Sequence, residues 1–149
     1  MKTFFFILVF ALIPSLSFSV EKFYVNQDEA VSDDEGKVKL AYTLTNGEKI
    51  AVSYFDISVY QSLELEKVEL TEGWAESGKT TRNVRVSTGN KLQPGGSGQI
   101  KLTMRIKDAG EPNIFQMRRP SPAFTLTVYY ATGEKKAWSI YPPFIPNMR

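Results

Sequence analysis

The chain has 149 residues and contains neither cysteine nor histidine. Without histidine it cannot form a Ser-His-Asp or Cys-His nucleophile pair. Without either residue it lacks the usual ligands of zinc, haem and iron–sulfur clusters, and no disulfide can stabilise the fold. We therefore expect a non-enzymatic protein and assign no metal centre or cofactor. Carboxylate, lysine or tyrosine chemistry and hard-cation binding are what these absences leave open.

The chain also lacks a large excess of one charge, because 18 lysines and arginines stand against 16 aspartates and glutamates. A nucleic-acid-binding domain normally has a clear basic excess, so we expect no nucleic-acid partner. No run of apolar residues reaches the length of about 18 that a membrane span requires. We therefore expect no transmembrane segment in the mature chain.

The first nineteen residues have the layout of a secretory signal peptide. Lys2 supplies a positive charge, residues 4–13 (FFFILVFALI) are apolar, and Ser17 and Ser19 are small residues at positions −3 and −1 of a cut. A cleaved signal peptide at residues 1–19 predicts export to the endoplasmic reticulum lumen, the extracellular space or a periplasm. It leaves about 130 residues, which is the size of one ordinary domain.

The mature segment has the pattern of short β-strands separated by turns. Residues 38–45 alternate apolar and polar side chains and end at Asn46-Gly47, which predicts a hairpin turn. Residues 50–60 and 99–107 also alternate. In the first of these two segments the alternation assigns Val52 to the polar face, with Tyr54, Asp56 and Ser58. The side chains expected to face the core are Phe55, Ile57, Val59, Ile100, Leu102, Met104 and Ile106.

Seven or eight such strands predict an all-β fold, an immunoglobulin-like β-sandwich. Residues 63–70 (LELEKVEL) fit either a strand or a short amphipathic helix. After the signal peptide we assign residues 20–37 to an acidic N-terminal segment leading into the domain and residues 38–141 to the sandwich. Residues 142–149 are a proline-rich C-terminal tail, which should be extended.

Residues 73–80 (GWAESGKT) match the phosphate-binding P-loop pattern G-x-x-x-x-G-K-[ST] at every fixed position. A P-loop leads into a helix whose N-terminus binds phosphate. The residues that follow (TRNVRV) alternate like a strand instead. We therefore interpret the match as a solvent-exposed loop and predict no nucleotide site.

Five carboxylates lie between Asp28 and Glu35. Hard cations such as calcium prefer oxygen ligands, so an acidic loop of this kind could bind one. The spacing does not fit the EF-hand pattern, and Val31 and Ser32 interrupt the cluster. A solvated linker into the first long strand is the favoured interpretation, and no metal site is assigned.

The longest irregular stretch, residues 110–122, combines apolar with basic residues. Loops concentrate binding residues, so this stretch is the first candidate for a partner contact. Its apolar residues could instead form an edge strand or plug the end of the core. Its arginines, with Arg105 and Lys107, could form a basic patch for phosphate or anionic lipid, or simply keep a polar loop soluble. The candidate partner-binding residues are Ile114, Phe115, Met117, Arg118 and Arg119.

Three stretches carry a family resemblance: residues 38–47 (VKLAYTLTNG), 92–106 (LQPGGSGQIKLTMRI) and 123–131 (AFTLTVYYA). Their order resembles the lumenal domain of the translocon-associated protein β subunit and is similar to bacterial CARDB-like domains. The resemblance implies an exported immunoglobulin-like sandwich without catalytic residues. It departs from the β subunit in that the transmembrane helix of that family has no counterpart here.

Taken together, these features favour a non-enzymatic interaction module of the secretory pathway or cell envelope. We expect it to bind a protein partner by an edge strand or a loop, because strand addition needs no special side chains. The alternative is a small-ligand or lipid-binding β protein of the same compartment, with a cavity between its sheets.

Overall fold

The structure, a computed structural model, describes residues 23–32, 36–107, 114–116, 121–143 and 145. These residues form nine strands and no helix, so the all-β prediction is confirmed with one or two more strands than expected. Within these ranges no helix has the length and apolar character needed to span a bilayer. The strands are β1 (Phe23–Ser32), β2 (Lys37–Asn46), β3 (Val52–Val59), β4 (Leu63–Leu70), β5 (Ala75–Lys79), β6 (Asn83–Leu92), β7 (Ser97–Ile106), β8 (Phe124–Tyr130) and β9 (Lys135–Ile140).

The strands form two antiparallel sheets that pack face to face. The four-stranded sheet has the order β1-β2-β7-β4, and the five-stranded sheet has the order β5-β6-β3-β8-β9. The core lies between them, and the alternation of the sequence correctly places its residues. Phe55, Ile57, Ile100, Leu102 and Met104 are fully buried. Val59 is buried as well, and Ile106 packs against the core at its margin.

Residues 23–32 form β1, where the sequence suggested an acidic linker. This strand pairs with β2 along its whole length and extends the four-stranded sheet at its edge. Phe23 and Val25 pack toward the core, whereas Asp28 and Glu29 are exposed. Because an edge strand is only half covered, its carboxylates can remain in water, and its acidic composition does not prevent strand formation.

Asn46-Gly47 does not form a hairpin turn, because β2 and β3 belong to different sheets. Asn46 is fully buried at one end of the sandwich. Its Nδ2 donates hydrogen bonds to the carbonyls of Ile50 (2.8 Å) and Leu92 (3.1 Å), and its Oδ1 accepts one from the Glu48 N–H (3.0 Å). Its main chain exchanges hydrogen bonds with the turn before β7, at Gly95 and Gly96. Asn46 therefore links the two sheets where a hairpin would have joined neighbouring strands.

A β-bulge at Ser53 explains why Val52 is buried rather than on the polar face. The register of β3 against β8 shifts between Val52 and Tyr54. The extra residue breaks the alternation, so that the side chain of Val52 points to the inner face instead of the outer face. The buried hydroxyl of Thr88 lies 2.6 Å from the Val52 carbonyl and 3.1 Å from the Ser53 carbonyl. It supplies a partner for polar groups that the interrupted ladder would leave unpaired.

Trp74, the residue before β5, packs its side chain into the core. Its indole is buried and contacts Phe55 edge to face, with ring centroids 5.4 Å apart. It also covers Gly98 of β7, where a β-carbon would collide with the indole ring and lie 2.9 Å from Cγ2 of Thr71. The segment that matches the P-loop pattern thus has a packing role through its tryptophan.

We expect Asn46→Ala to lower the free energy of unfolding by about 3 kcal/mol. One buried carbonyl, one part-buried carbonyl and one part-buried N–H lose their partner, and each lost partner costs about 1–3 kcal/mol where the group is buried. Urea unfolding followed by circular dichroism measures the change. Asn26→Ala, on the exposed side of β1, is the control and should alter stability by no more than about 0.5 kcal/mol. Equal effects of the two substitutions would contradict the role given to Asn46.

Gly98→Ala should destabilise the domain by about 2 kcal/mol, because overpacking against the indole forces Trp74 or β7 to move. Thermal unfolding and the emission maximum of tryptophan fluorescence report the change. Gly78→Ala is the matched control, since a β-carbon at that position would point into open space and its φ is not positive. An unchanged stability for Gly98→Ala would show that the indole can be displaced at little cost.

Candidate functional site

The loop candidates divide into two groups. Ile114 and Phe115 are buried and belong to the core cluster, which agrees with the alternative that they plug its end. Met117, Arg118 and Arg119 lie outside the described residues. The side chains of Ile114 and Phe115 are therefore occupied by the fold itself.

The proline-rich tail packs beside this plug. Pro142 is buried, and the N–H of Ile145 donates a 2.7 Å hydrogen bond to the carbonyl of Phe115. Ile145 itself is half-buried against the core. The described part of the tail thus closes the end of the sandwich opposite Asn46.

The segment that matches the P-loop pattern forms edge strand β5, followed by a tight turn into β6, where the sequence suggested a loop. Oγ1 of Thr80 accepts hydrogen bonds from the N–H groups of Arg82 (3.2 Å) and Asn83 (3.0 Å). In a P-loop this threonine would bind magnesium, and the backbone would open into a helix. The local geometry is that of a strand and turn, which does not cradle a phosphate.

The acidic residues of β1 are used in hydrogen bonds. A bulge between Gln27 and Glu29 brings Asp28 to the outer face, where it accepts hydrogen bonds from Thr43 (2.6 Å) and Gln99 (3.1 Å). These two donors hold the pKa of Asp28 below its usual range. Among the described residues no group of three or more acidic side chains is placed to hold a metal ion. Residues 33–35, the rest of the acidic cluster, lie outside the described ranges.

The described members of the suggested basic patch face glutamates of β4. Arg105 Nε lies 2.6 Å from Glu66 Oε1, and Lys107 Nζ lies 3.9 Å from Glu64 Oε1. Hydrogen bonding to Arg105 is the main cause that lowers the pKa of Glu66, and Lys37 adds to it at 3.3 Å. The outer face of the four-stranded sheet is therefore a mixed-charge surface, as is usual for solvated faces.

On the outer face of the five-stranded sheet, Asp56 is bound by Arg85 rather than by a second carboxylate. Two parallel contacts of 2.7 Å join the guanidinium to the carboxylate. This hydrogen bonding raises the pKa of Arg85 further. The guanidinium also lies 4.5 Å from the ring centre of Tyr54, which stacks on Tyr129 at 4.4 Å. The Asp56 carboxylate is thus engaged at both oxygens by the Arg85 guanidinium.

Two depressions lined by described residues lie on the outer faces of the sheets. One of about 490 Å³ is on the outer face of the five-stranded sheet and is lined by Asp56, Lys79, Thr80, Asn83 and Arg85, with Gly78 and Val84. Another, of about 170 Å³, lies on the outer face of the four-stranded sheet around Ala41 and Thr103. Both are open to solvent, and the smaller one is lined mainly by polar surface. They do not resemble the apolar cavity between sheets that a lipid-binding protein would need.

The four edge strands of the described sheets differ in regularity. Register shifts interrupt β1 between Gln27 and Glu29, β4 between Leu65 and Lys67, and β5 between Glu76 and Gly78. Such bulges protect sheet edges from pairing with other chains. Strand β9 pairs with β8 through six consecutive residue pairs without a shift. Among the described strands at a sheet edge, β9 alone keeps a regular backbone.

The backbone of β9 presents hydrogen-bonding groups on its free side. The carbonyls of Glu134 and Ile140 accept hydrogen bonds from β8 residue Tyr130 (2.9 Å) and from Ala123 (2.7 Å). Because alternate residues of an antiparallel strand direct these groups to opposite sides, Lys135, Ala137 and Ser139 direct theirs away from β8. The side chains of these three residues are exposed. No other strand of the part of the chain that the structure describes pairs with this side of β9, so this free edge offers three donors and three acceptors to an added strand.

The inner side of β9 borders a row of apolar residues. Trp138 stacks on Phe23 of β1, with ring centroids 5.5 Å apart. We call this row the apolar seam; it consists of Phe23, Val25 and Ala30 of β1 with Trp138 and Ile140 of β9. Lys136 anchors the start of β9 through a 2.8 Å ion pair with Glu48. The edge is thus both regular and held in place.

No protein-family model matches the chain, and no curated protein sequence matches it. Among solved structures it is similar to an uncharacterized protein from Nocardia farcinica with an immunoglobulin-like fold. That match has 13% identity and a TM-score of 0.54, and it covers 77% of this chain and 83% of the other. A non-cellulosomal cohesin from the hyperthermophilic archaeon Archaeoglobus fulgidus gives a TM-score of 0.45 at 13% identity, covering 80% and 91%. The first similarity shows the fold: the chain is an immunoglobulin-like β-sandwich.

Proposed function

We propose that this chain is a non-enzymatic interaction module that binds an extended segment of a protein partner along the free edge of β9. The observation that supports this proposal is the unshifted register of β9, which leaves its outward backbone groups evenly spaced. An added strand gains main-chain hydrogen bonds from such an edge without needing specialised side chains. The buried loop residues Ile114 and Phe115 favour this edge over the loop as the binding surface.

Export is part of the proposal and rests on the signal-like residues 1–19, as does the compartment, whether endoplasmic reticulum lumen, extracellular space or periplasm. The resemblance to the translocon-associated protein β subunit and to CARDB-like domains is compatible with this function. Both families are exported sandwiches without catalytic residues, so the resemblance supports a binding role and does not choose a partner.

We expect Ala137→Pro to abolish partner capture, because proline removes the outward N–H at the centre of the β9 edge. Proline is tolerated at edge positions whose N–H faces solvent, so the β8–β9 ladder should survive. Affinity purification uses the mature chain from residue 20 as bait in the envelope or secretory fraction of its own cells. For any protein that the unsubstituted bait captures, the amount captured should fall at least tenfold with Ala137→Pro.

Ala137→Thr is the matched control, because it changes the same side chain and keeps the N–H. It should capture the partner as the unsubstituted chain does. Hydrogen exchange of the amides of Lys135, Ala137 and Ser139 should slow when the captured partner is bound. Equal capture by the proline and threonine variants would contradict binding at this edge.

A further inference from the structure

We propose that the segment bound by β9 is an acidic amphipathic strand. Its inward side chains are apolar and extend the apolar seam, and one outward side chain is a carboxylate beside Lys135. This inference rests on the proposed function, since it names the chemistry of the partner at the same edge. It follows from what surrounds β9 on its two faces.

On the outer face, Lys135 ends a row of side chains that crosses the sheet. The register places it beside Tyr129, which is beside Tyr54, which is beside Ser87. None of these neighbours carries a negative charge, and the two tyrosine rings stack on each other. The next row contains Asp56, whose carboxylate is already bound at two points by Arg85. Within the described ranges, Lys135 is therefore a positive charge without a carboxylate neighbour on this face, at the free edge of the sheet.

The carboxylate next to Lys135 in sequence lies on the opposite side of the sheet. Side chains alternate along the chain, so Glu134 points toward the inner face. The pKa of Tyr130, which faces inward, is raised to about 12, chiefly by burial and then by the negative charges of Glu48 and Glu134. The contribution of Glu134 agrees with its placement on the inner side. Glu48 lies on the same side and pairs with Lys136. Glu134 and Glu48 therefore do not neutralise Lys135, whose charge is available to a partner.

On the inner face, an added strand would lie over the open side of the sandwich. Val25, Ala30, Trp138 and Ile140 are only partly buried there and pack against the core. Every second side chain of an added strand would face this apolar seam, because side chains alternate between the two faces. Apolar residues at those positions would complete the burial of the seam, whereas polar ones would be desolvated without a partner.

A second copy of β9 does not have this chemistry. Residues 135–141 (KKAWSIY) contain two lysines and no acidic residue. Antiparallel self-pairing therefore brings no carboxylate to Lys135, and pairing centred on Lys136 would set two lysines opposite each other. The charge pattern favours a different, acidic segment as the occupant.

The test uses three seven-residue peptides and the mature chain from residue 20. The first peptide alternates valine and threonine with one terminal threonine replaced by glutamate, the second has lysine at that position, and the third is the first with alternate backbone nitrogens methylated. Binding is measured at low ionic strength by the amide resonances of Lys135, Ala137 and Ser139. We expect the glutamate peptide to bind about threefold to fivefold more tightly than the lysine peptide. The methylated peptide should not bind.

Charge reversal provides the decisive comparison. Lys135→Glu should invert the preference, so that the lysine peptide binds more tightly. Lys101→Glu is the matched control, since it makes the same charge change at an exposed position of the other sheet and should leave the preference unchanged.

The outcomes separate the inference from the proposed function. If both charged peptides bind Lys135→Glu and the original chain equally, and Ala137→Pro abolishes binding, the edge docks strands but the acidic assignment is wrong. If neither peptide binds, the assignment is also wrong, while partner capture by the Ala137 variants still decides the proposed function. A dimer in sedimentation that Ala137→Pro dissociates would identify a second copy as the occupant and overturn the inference.

Discussion

The buried side chain of Asn46 is the interaction on which the arrangement of the two sheets depends. It belongs to β2 in the four-stranded sheet, yet its amide donates to carbonyls at the entrance of β3 and at the end of β6. Both the nitrogen and the oxygen of the amide are hydrogen-bonded, because Oδ1 accepts a hydrogen bond from the N–H of Glu48. Glu48 also connects this cluster to edge strand β9, since its carboxylate forms an ion pair with Lys136 near the start of that strand. One asparagine thus connects the core, the sheet crossover and the candidate site.

The edges of the sandwich illustrate how a protein restricts where it can associate. Bulges distort β1, β4 and β5, and the N–H of Leu65 in β4 is taken by the carbonyl of Thr81 from the turn before β6. Both outer faces carry ion pairs, such as Arg85–Asp56 on one and Arg105–Glu66 on the other. Of the edge strands that the structure describes, β9 is the one with an unshifted register, and the proposed docking rests on that regularity.

The alternation of the sequence was sufficient to predict the class of fold and most of the core, because an inward row such as Ile100, Leu102 and Met104 has a period of two. It could not predict the bulges, since one inserted residue reverses the face of Val52 without altering the composition. Asn46-Gly47 was misinterpreted because the dipeptide also occurs where a buried amide replaces a turn. The candidate site was missed for a related reason. Whether β9 is an edge depends on the order of strands in the sheet, and residues 135–140 contain nothing unusual.

The order of strands also determines when the molecule becomes competent during synthesis. Val38 of β2 pairs with Met104 of β7, and β3 pairs with both β6 and β8. Such distant pairings require the entropy cost of closing long loops before the stabilising contacts form. Domains of this kind therefore fold slowly, in about milliseconds to seconds. A chain emerging from its N-terminus therefore carries β1 and β2 without their long-range partners for some time. The edge that would receive a partner is formed by β9, the last of the described strands, so binding by this edge requires that the preceding strands have been made and have folded.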